Sequence, residues 1–525
     1  MWLSWPPIAI FPLACVAFSV IFILEHVISK RQNSNTNAAL FFYVYIFFIA
    51  WNAPTTWWIY YSTLPGAIAA NMLNALLMSI PVLLFHVVKK RTTEATGYFS
   101  LIAFWLSFEH IHHQWEFTWP WLSLGNVFSY YPSLIQWYEY TGMFGGTLWI
   151  LLLNLLFFLW IKHTFIEKSS ETKKSRYKLP HPLISYLLIF VIPIGISFAI
   201  YYNYEEKGYP VDIVVVQPNV DPYGEKFIEE TVDEQLERML SLADSLSDEN
   251  TDYIVFPETA LPRGVWLDQI ENDKHVNRIY DFLEQKYPHI SLVTGISAYI
   301  RYTDVTEPPT PTARRYRSGD CCYDAFNSAV QLDTSRVLQL YHKSKLVPGV
   351  ERMPYPGIFK FLAPLTIDLG GISGSLGRQD YRGVFFTEDN KGIAPVICYE
   401  SVYGEHVAEY INNGANAIFI VTNDGWWDDT PGYKQHLYFS SLRAIEGRKS
   451  IARSANTGIS AFINQRGDIL QPTEFWEPAV IRGVIYFNDY KTFYIRYGDY
   501  ISRLAILLSI MSLLFAFVKG KTKRF

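Results

Sequence analysis

The sequence has little charge and little cysteine. Asp, Glu, Lys and Arg make up 18% of its 525 residues, whereas about 25% is typical of soluble domains, so the composition argues against an ordinary cytosolic protein. The net charge of -5 gives no general reason to expect nucleic acid as a partner. The four cysteines are too few for a disulfide scaffold and lack the paired CxxC spacing of a zinc site. Two of them, Cys321 and Cys322, are adjacent, and the sequence leaves open whether they are bonded, free or merely packed.

Motifs for nucleotide cofactors are missing as well. The chain has no P-loop and no GxGxxG segment after a strand. The neighbouring histidines His110, His112 and His113 are better explained as interfacial residues than as metal ligands. We therefore expect no metal, nucleotide or flavin cofactor.

Long uncharged stretches are what the N-terminal part does contain. Residues 32–88 include no Asp, Glu, Lys or Arg, and because about 20 apolar residues span a bilayer, this run has room for two helices with a turn at 62–66. Glu109 and His110 lie inside one of the other predicted spans. Those other spans are 7–27, 98–115, 143–161, 182–202 and 501–518.

Basic residues in the short loops predict the orientation. Lys and Arg number fifteen in four loops and none in the loops 62–66 and 110–142. The four basic loops are 28–37, 89–97, 162–180 and 519–525. The positive-inside rule places these four loops in the cytoplasm and the region between the sixth and seventh spans outside. An odd number of spans then puts Met1 outside, which either an additional upstream helix or a genuine seven-span chain would explain.

The region outside the membrane has the pattern of a mixed α/β domain. Short apolar runs alternate there with charged amphipathic stretches, which predicts an α/β layered fold. Strands are expected near 211–216, 253–256, 291–296, 327–332, 336–341, 393–398, 416–422, 451–454, 459–464 and 480–487. Helices are expected near 226–247, 272–286, 404–412 and 433–449. The predicted domains are a membrane domain of about six helices (1–205), an outer domain (206–500) and a C-terminal helix with a basic tail (501–525).

Three predicted strands end in residues suited to catalysis, as is common in α/β folds. Glu258 in VFPETALP follows the strand 253–256, Lys343 in YHKSKL follows 336–341, and Cys398 in PVICYES ends 393–398. Each has an ordinary explanation when taken alone, as a surface carboxylate, a surface lysine or an inert buried cysteine. Their combination is what suggests a site.

An acid, a lysine and a cysteine at strand ends resemble the Glu-Lys-Cys arrangement of the nitrilase, or carbon-nitrogen hydrolase, superfamily. ICYES is similar to its cysteine motif, and VTNDGWW and RAIEGRKSIARSANTG are similar to its later strand and helix. With membrane helices on both sides, essentially the whole chain resembles the apolipoprotein N-acyltransferase family. The resemblance implies a polytopic α-helical membrane domain and a nitrilase-like αββα sandwich. It also implies a multi-pass protein of the bacterial inner membrane with its catalytic domain on the periplasmic side.

The resemblance further implies a two-step acyl transfer. Glu258 would act as general base on Cys398, because the thiolate is the reactive form of cysteine, and Lys343 would stabilise negative charge. Attack on a phospholipid would give a thioester, and the N-terminal amine of a diacylglyceryl-modified apolipoprotein would then accept the acyl chain. The backbone N–H of Tyr399 would be a further oxyanion donor. The expected partners are thus membrane lipids and apolipoproteins.

Further residues match the family less specifically. Glu351 matches its second glutamate, and Glu400 matches a residue that follows the cysteine. Candidate substrate contacts are Tyr223, Phe227, Asn423, Trp426 and Trp427. The charges of Arg443, Glu446 and Arg448 favour a solvated helix face first and contacts with lipid headgroups second. Tyr223 and Phe227 lie where family members tend to have Trp, and LVPGVE replaces the usual LVPFGE, which leaves open how the acyl chain or peptide is gripped.

Two other functions are compatible with parts of this pattern. A membrane-tethered nitrilase-type amidase would pass the thioester to water, although such a hydrolase gains little from several membrane spans. A transporter or receptor would use the outer domain only for ligand binding. That class should carry ionisable residues in several spans, whereas the second and third predicted spans, within 32–88, have none beyond His86.

Overall fold

The computed structural model describes residues 1–31, 35–166, 182–303, 305–316, 321–355 and 375–522. The chain forms two compact units. We call the first the membrane unit; it comprises Met1–Trp57, Pro65–Tyr204 and Tyr497–Phe525. We call the second the α/β unit; it comprises Trp58–Leu64 and Glu205–Arg496.

The membrane unit is built from long helices. They are α1 Phe11–Ser29, α2 Thr36–Thr56, α3 Leu64–Arg91, α4 Glu94–His112, α5 Tyr138–Ile166, α6 Pro182–Asn203 and a C-terminal helix, Tyr500–Thr522. Within the described residues, six of these are long and apolar enough to cross a membrane, and α4 is not among them. The predicted span 98–115 corresponds to α4, whose acidic and histidine residues lower its hydropathy. The basic loops 28–37, 162–180 and 519–525 lie partly outside the described residues.

The buried acid of α4 is fully hydrogen-bonded. Glu109 accepts hydrogen bonds from the indole N–H of Trp105, the backbone N–H of Leu124 and the hydroxyl of Thr147, at 2.7–2.8 Å. A buried carboxylate with three donors ties its helix to neighbouring segments. The histidines of the same region also have protein partners, in the pairs His110–Ser502, His112–Asn74 and His113–Ser123.

The α/β unit contains two β-sheets. The strands of the first are β1 Tyr209–Gln217, β2 Tyr253–Val255, β3 Leu261–Trp266, β4 Ser291–Tyr302, β5 Arg314–Arg315, β6 Cys322–Leu332, β7 Gln339–His342 and β14 Ala479–Phe487. Their order is β14-β1-β2-β4-β6-β5, with β3 paired to β4 and β7 to β6. The strands of the second are β8 Phe385–Phe386, β9 Gly392–Ile397, β10 Ala417–Thr422, β11 Ile451–Ala455, β12 Ala461–Ile463 and β13 Ile469–Leu470. Their order in the sheet is β13-β12-β11-β10-β9-β8.

Helices cover the outer faces of both sheets. They are α7 Val232–Leu246, α8 Lys274–Lys286, α9 Gly404–Asn412, α10 Pro431–Gly447 and the short α11 Phe493–Tyr497. Alternation along β1 shows the layering, because side chains of a strand point to opposite faces in turn. Ile213 and Val215 pack between the sheets, whereas Val214 and Val216 pack against α7 and α8. The predicted αββα sandwich is thereby confirmed.

Ten predicted strands and four predicted helices are present, with one clear error of boundary. The helix expected over 226–247 begins only at Val232. The preceding loop buries Lys226, whose ammonium donates to the backbone carbonyl of Glu258 at 2.9 Å. A lysine with an internal partner therefore fixes a loop where the charge pattern had suggested a solvated helix. The strands β3, β5, β8 and β13 were not predicted, because they are short or interrupted by Pro and Gly.

Candidate active site

The three predicted catalytic residues lie at the ends of different strands, and the structure brings them together. The Lys343 ammonium is 3.1 Å from Oε1 of Glu258 and 2.8 Å from Oε1 of Glu351. The thiol of Cys398 interacts electrostatically with Glu258 and Lys343. Cys398, Glu258 and Lys343 are all buried, with Lys343 only 1% exposed. We call Glu258, Lys343, Glu351 and Cys398 the charge cluster.

Backbone geometry at two strand exits aims these side chains. Cys398 directly follows β9 and has a φ of +49°, and Thr259, next to Glu258, has a φ of +47°. A positive φ is uncommon for residues other than glycine. Such a conformation costs about 1–3 kcal/mol and persists only where the surroundings enforce it. At Cys398 it makes a sharp turn from strand into the 3₁₀ helix Cys398–Val402.

Electrostatics in the charge cluster favour a neutral thiol at rest. Burial raises the pKa of the Cys398 thiol, the negative charge of Glu258 raises it further, and the positive charge of Lys343 opposes both. For Lys343, burial lowers the pKa, but the charges of Glu258 and Glu351 outweigh it and hold the pKa well above its ordinary value. The thiol therefore needs a base at the moment of reaction, and Glu258 is the carboxylate whose charge acts on it most strongly.

Asn327 is a member of the site that the sequence did not reveal. Its amide donates to Oε1 of Glu258 at 2.8 Å and to Oε1 of Glu351 at 3.0 Å. Its backbone carbonyl accepts from the N–H of Lys343 at 2.8 Å. Asn327 thus joins both carboxylates to the lysine segment. The available signal was its position in the predicted strand 327–332, as a polar residue among apolar ones.

Glu351 and Glu400 have different surroundings. Glu351 lies in the charge cluster, and its other oxygen accepts from the backbone N–H of Val347 at 2.8 Å. Glu400 accepts from the Tyr341 hydroxyl and the Ser344 N–H, each at 2.7 Å, and from the Ile397 N–H at 3.0 Å.

The pKa of Glu400 reflects these donors. Burial would raise it, but the nearby His406 and the backbone N–H groups outweigh burial and lower the pKa to about 2. Ser344 follows Lys343, and Ile397 precedes Cys398. The ionised Glu400 carboxylate therefore links the two segments that carry the lysine and the cysteine.

The candidate substrate-binding aromatics form one cluster. The ring of Trp426 lies 5.2 Å from that of Tyr223 and 6.4 Å from that of Phe227. The ring of Trp427 lies 4.8 Å from that of Trp58. The residue Tyr223 is 57% exposed and lies at the edge of the cluster.

Segment Trp58–Leu64 contributes to this cluster, which the sequence did not predict. Its Ser62 hydroxyl donates to the carbonyl of Trp426, and the phenol of Tyr223 donates to the carbonyl of Tyr61, each at 3.2 Å. The predicted turn between two membrane spans is therefore a packed part of the α/β unit.

Asn423 follows β10 and is buried. Its side-chain oxygen accepts hydrogen bonds from Asn456 and Thr457, each at 3.2 Å. That oxygen is thus occupied in holding two loops together.

Two further expectations have clear outcomes. Arg443, Glu446 and Arg448, which the charge pattern favours as a solvated helix face, are all buried, and Arg443 pairs with Glu446 at 3.0 Å. That interpretation was wrong because α10 is covered along nearly its whole length. Cys321 and Cys322 are bonded to each other.

Two family models match the chain. The apolipoprotein N-acyltransferase N-terminal domain matches residues 1–156, and the carbon-nitrogen hydrolase model matches residues 213–493. The apolipoprotein N-acyltransferase of Chlorobaculum tepidum is 27% identical over 99% of this chain and 94% of its own length. That of Geobacter metallireducens is 26% identical over 95% of this chain and 89% of its own. An amidase of the nitrilase superfamily from Nesterenkonia AN1 shares 15% identity and a TM-score of 0.38, covering 57% of this chain and 98% of its own.

Proposed function

The chain belongs to the carbon-nitrogen hydrolase family, and on that premise we propose that it moves an acyl chain from a phospholipid, through a thioester on Cys398, to the N-terminal amine of an apolipoprotein. N-acylation of apolipoproteins is its activity, since family models match residues 1–156 and 213–493 and its relatives are named apolipoprotein N-acyltransferase. The finer steps, from the phospholipid donor to the thioester, are our proposal. So is a periplasmic catalytic domain at the bacterial inner membrane.

The observation that carries the mechanism is the charge cluster. In the first step Glu258 takes the proton from Cys398 as sulfur attacks the ester carbonyl of the phospholipid. The tetrahedral oxyanion is stabilised by the Lys343 ammonium and the backbone N–H of Tyr399. Collapse breaks the ester C–O bond, and Glu258 returns the proton to the leaving alkoxide, which departs as a lysophospholipid.

In the second step the acceptor amine attacks the thioester. Glu258 removes a proton from the amine, and Cys398 leaves as the thiolate and is reprotonated. Glu351 and Asn327 do not contact the reacting atoms in this scheme and position Lys343 and Glu258. Because the burial of Cys398 raises its pKa, no standing thiolate is exposed to unwanted electrophiles between turnovers.

A labelled phospholipid tests the proposal. Incubating the purified protein with a phospholipid carrying a radiolabelled acyl chain should attach the label to the protein through a bond that hydroxylamine cleaves. Adding a diacylglyceryl-cysteine peptide should then move the label to the peptide amine.

The competing amidase gives a different result in the same experiment. A protein that takes no label from phospholipid, but releases ammonia from a small amide, would contradict the acyltransferase mechanism. The Cys398→Ala variant is the control for labelling at other residues.

Gly295 offers a test of the placement of Glu258. A Cβ at this position would lie 2.5 Å from the backbone nitrogen of Thr259 and 2.6 Å from Cα of Glu258. Backbone atoms cannot move aside as side chains do, so Gly295→Ala should displace Glu258. We expect kcat to fall by roughly a hundredfold, the usual scale for a misplacement of about 1 Å, with a loss of about 1–3 kcal/mol in stability.

Gly383→Ala is the matched control, because a Cβ there has its nearest neighbours at 3.5 Å or more. Acyl transfer and thermal unfolding in detergent should both stay at the wild-type level for this variant. Wild-type acyl transfer by Gly295→Ala would contradict the placement.

A further inference from the structure

A buried hydrogen-bond network holds Cys398 in its strained backbone conformation. The residues of this network take no part in the two chemical steps described above. Nε2 of His436 lies 3.1 Å from the backbone carbonyl oxygen of Cys398. The hydroxyl of Ser401 donates to the same oxygen at 2.8 Å. His436 and Ser401 are both completely buried. The carbonyl of the nucleophile therefore has two side-chain partners, on α10 and in the turn after β9.

Asp424 and Arg453 fix His436 in turn. Nδ1 of His436 lies 2.9 Å from Oδ1 of Asp424, and the guanidinium of Arg453 donates to Oδ2 at 2.7 Å. The hydroxyl of Thr422 donates to Oδ1 at 2.8 Å. Burial would raise the pKa of Asp424, but Arg453 and His436 hold it well below its ordinary value. The ionised carboxylate can only accept, so Nδ1 donates to it and the ring is oriented. The guanidinium of Arg453 lies 3.1 Å from the same ring nitrogen.

The hydrogen on the other ring nitrogen follows from the same contacts. A carbonyl oxygen only accepts hydrogen bonds, so a hydrogen bond to the Cys398 carbonyl requires a hydrogen on Nε2. The hydroxyl oxygen of Ser401, 3.0 Å from the same nitrogen, can share that hydrogen. In the proposed scheme His436 donates to the carbonyl oxygen of Cys398 and takes no proton from the thiol.

The consequence lies in the geometry of one peptide group. The carbonyl of Cys398 and the N–H of Tyr399 belong to the same planar trans unit, so they point in opposite directions and turn together. We propose that Asp424 and His436 are positioning residues that fix this peptide plane and so aim the Tyr399 N–H at the oxyanion of the reacting ester. A hydrogen bond accepted by the carbonyl also strengthens its N–H as a donor.

Two variants of His436 separate this role from simple packing. In His436→Gln the side-chain amide reaches the position of Nε2 and keeps a donor to the Cys398 carbonyl. In His436→Asn the amide reaches only the position of Nδ1 and loses that donor. We expect His436→Asn to lose roughly 100- to 1000-fold in kcat, the usual cost of one oxyanion donor, with KM unchanged and with most of the loss restored in His436→Gln.

Two reactions of the same thiol make the test specific. Acylation by a p-nitrophenyl ester passes through a tetrahedral oxyanion, whereas alkylation by iodoacetamide displaces iodide and forms none. In a Cys15→Ala background, which leaves Cys398 as the free thiol, His436→Asn should slow acylation and leave alkylation unchanged. Equal loss in both reactions, or loss in neither, would overturn the proposal.

The control variant is His275→Asn, which breaks another histidine–aspartate pair, formed at 2.7 Å by the buried His275 of α8 and the exposed Asp233 of α7. It should leave both rates unchanged. The inference rests on the proposed thioester chemistry, and the two can fail separately. A wild-type protein that reacts with the nitrophenyl ester but not with phospholipid contradicts the proposed donor alone. A wild-type protein that forms no acyl adduct with either ester overturns both.

Discussion

Replacing Cys398 with Ala is expected to abolish acyl transfer. Removing a catalytic nucleophile from a cooperating set costs roughly a millionfold in kcat in the best-studied case, and Cys398 is the one residue of the charge cluster that can carry the acyl chain. The measurement is the transfer of a radiolabelled acyl chain from phospholipid to a diacylglyceryl-cysteine peptide. The hydroxylamine-sensitive label on the protein should disappear together with the product.

Cys15→Ala is the matched control for this variant. Cys15 is also a buried free cysteine, but it lies in α1 and its thiol contacts the carbonyl of Phe11 at 3.8 Å. Its replacement should leave transfer at the wild-type rate. Substantial transfer by Cys398→Ala would exclude the thioester and favour direct attack of the amine on the phospholipid.

Replacing Lys343 with Met should damage both activity and stability. The variant keeps the length of the side chain but leaves the carboxylates of the buried Glu258 and the half-buried Glu351 without their cation. Breaking a buried ion pair in this way costs about 3–5 kcal/mol. We also expect kcat to fall by roughly 1000-fold, because a donor to the oxyanion is lost. Thermal unfolding in detergent and acyl transfer measure the two effects.

The contribution of Lys343 to the stability of the protein depends on pH in a defined direction. Lys343 has a pKa raised above its ordinary value in the folded protein. Its stabilisation is therefore fully present below about pH 10.4, the unperturbed value, and is lost only as the pH rises through the folded pKa. The difference in stability between wild type and Lys343→Met should thus persist across neutral pH.

Two companion variants make the Lys343 result interpretable. Lys345→Met removes a nearby cation whose pKa is lowered to about 8 by burial. Because this variant leaves the charge cluster complete, its stability and its acyl transfer should stay close to wild type. Adding Glu351→Gln to Lys343→Met removes one uncompensated charge and should recover stability without activity. If Lys343→Met unfolds like wild type, the ion pairs with Glu258 and Glu351 are not formed in the protein.

Much of the fold was predictable because it depends on local patterns. The period of apolar residues along β1 and the continuous apolar run of β9 identify strands without reference to the rest of the chain. The uncharged stretch over 32–88 likewise identifies membrane helices from length and composition. Local patterns failed where tertiary contacts reverse a residue's usual preference, as with buried Lys226 and with Arg443 on α10.

The candidate site divides in the same way. Glu258, Lys343 and Cys398 were identifiable because each stands at a strand end in a recognisable motif. Their partners were not, because Asn327 and His436 are ordinary polar residues whose roles arise from contacts with distant segments. Nothing local to His436 indicates that it lies beside the carbonyl of Cys398.

The sequence by itself therefore determined a membrane-bound α/β protein with an acid, a lysine and a cysteine at strand ends. Hydropathy and residue periodicity depend only on neighbours along the chain, so they can be read from the sequence without a structure. The tertiary structure alone decided that Lys343 lies between two carboxylates and that Trp58–Leu64 packs in the α/β unit. It also decided that an aspartate and a histidine hold the peptide after the nucleophile, because a hydrogen bond depends on distances in space that sequence separation does not set.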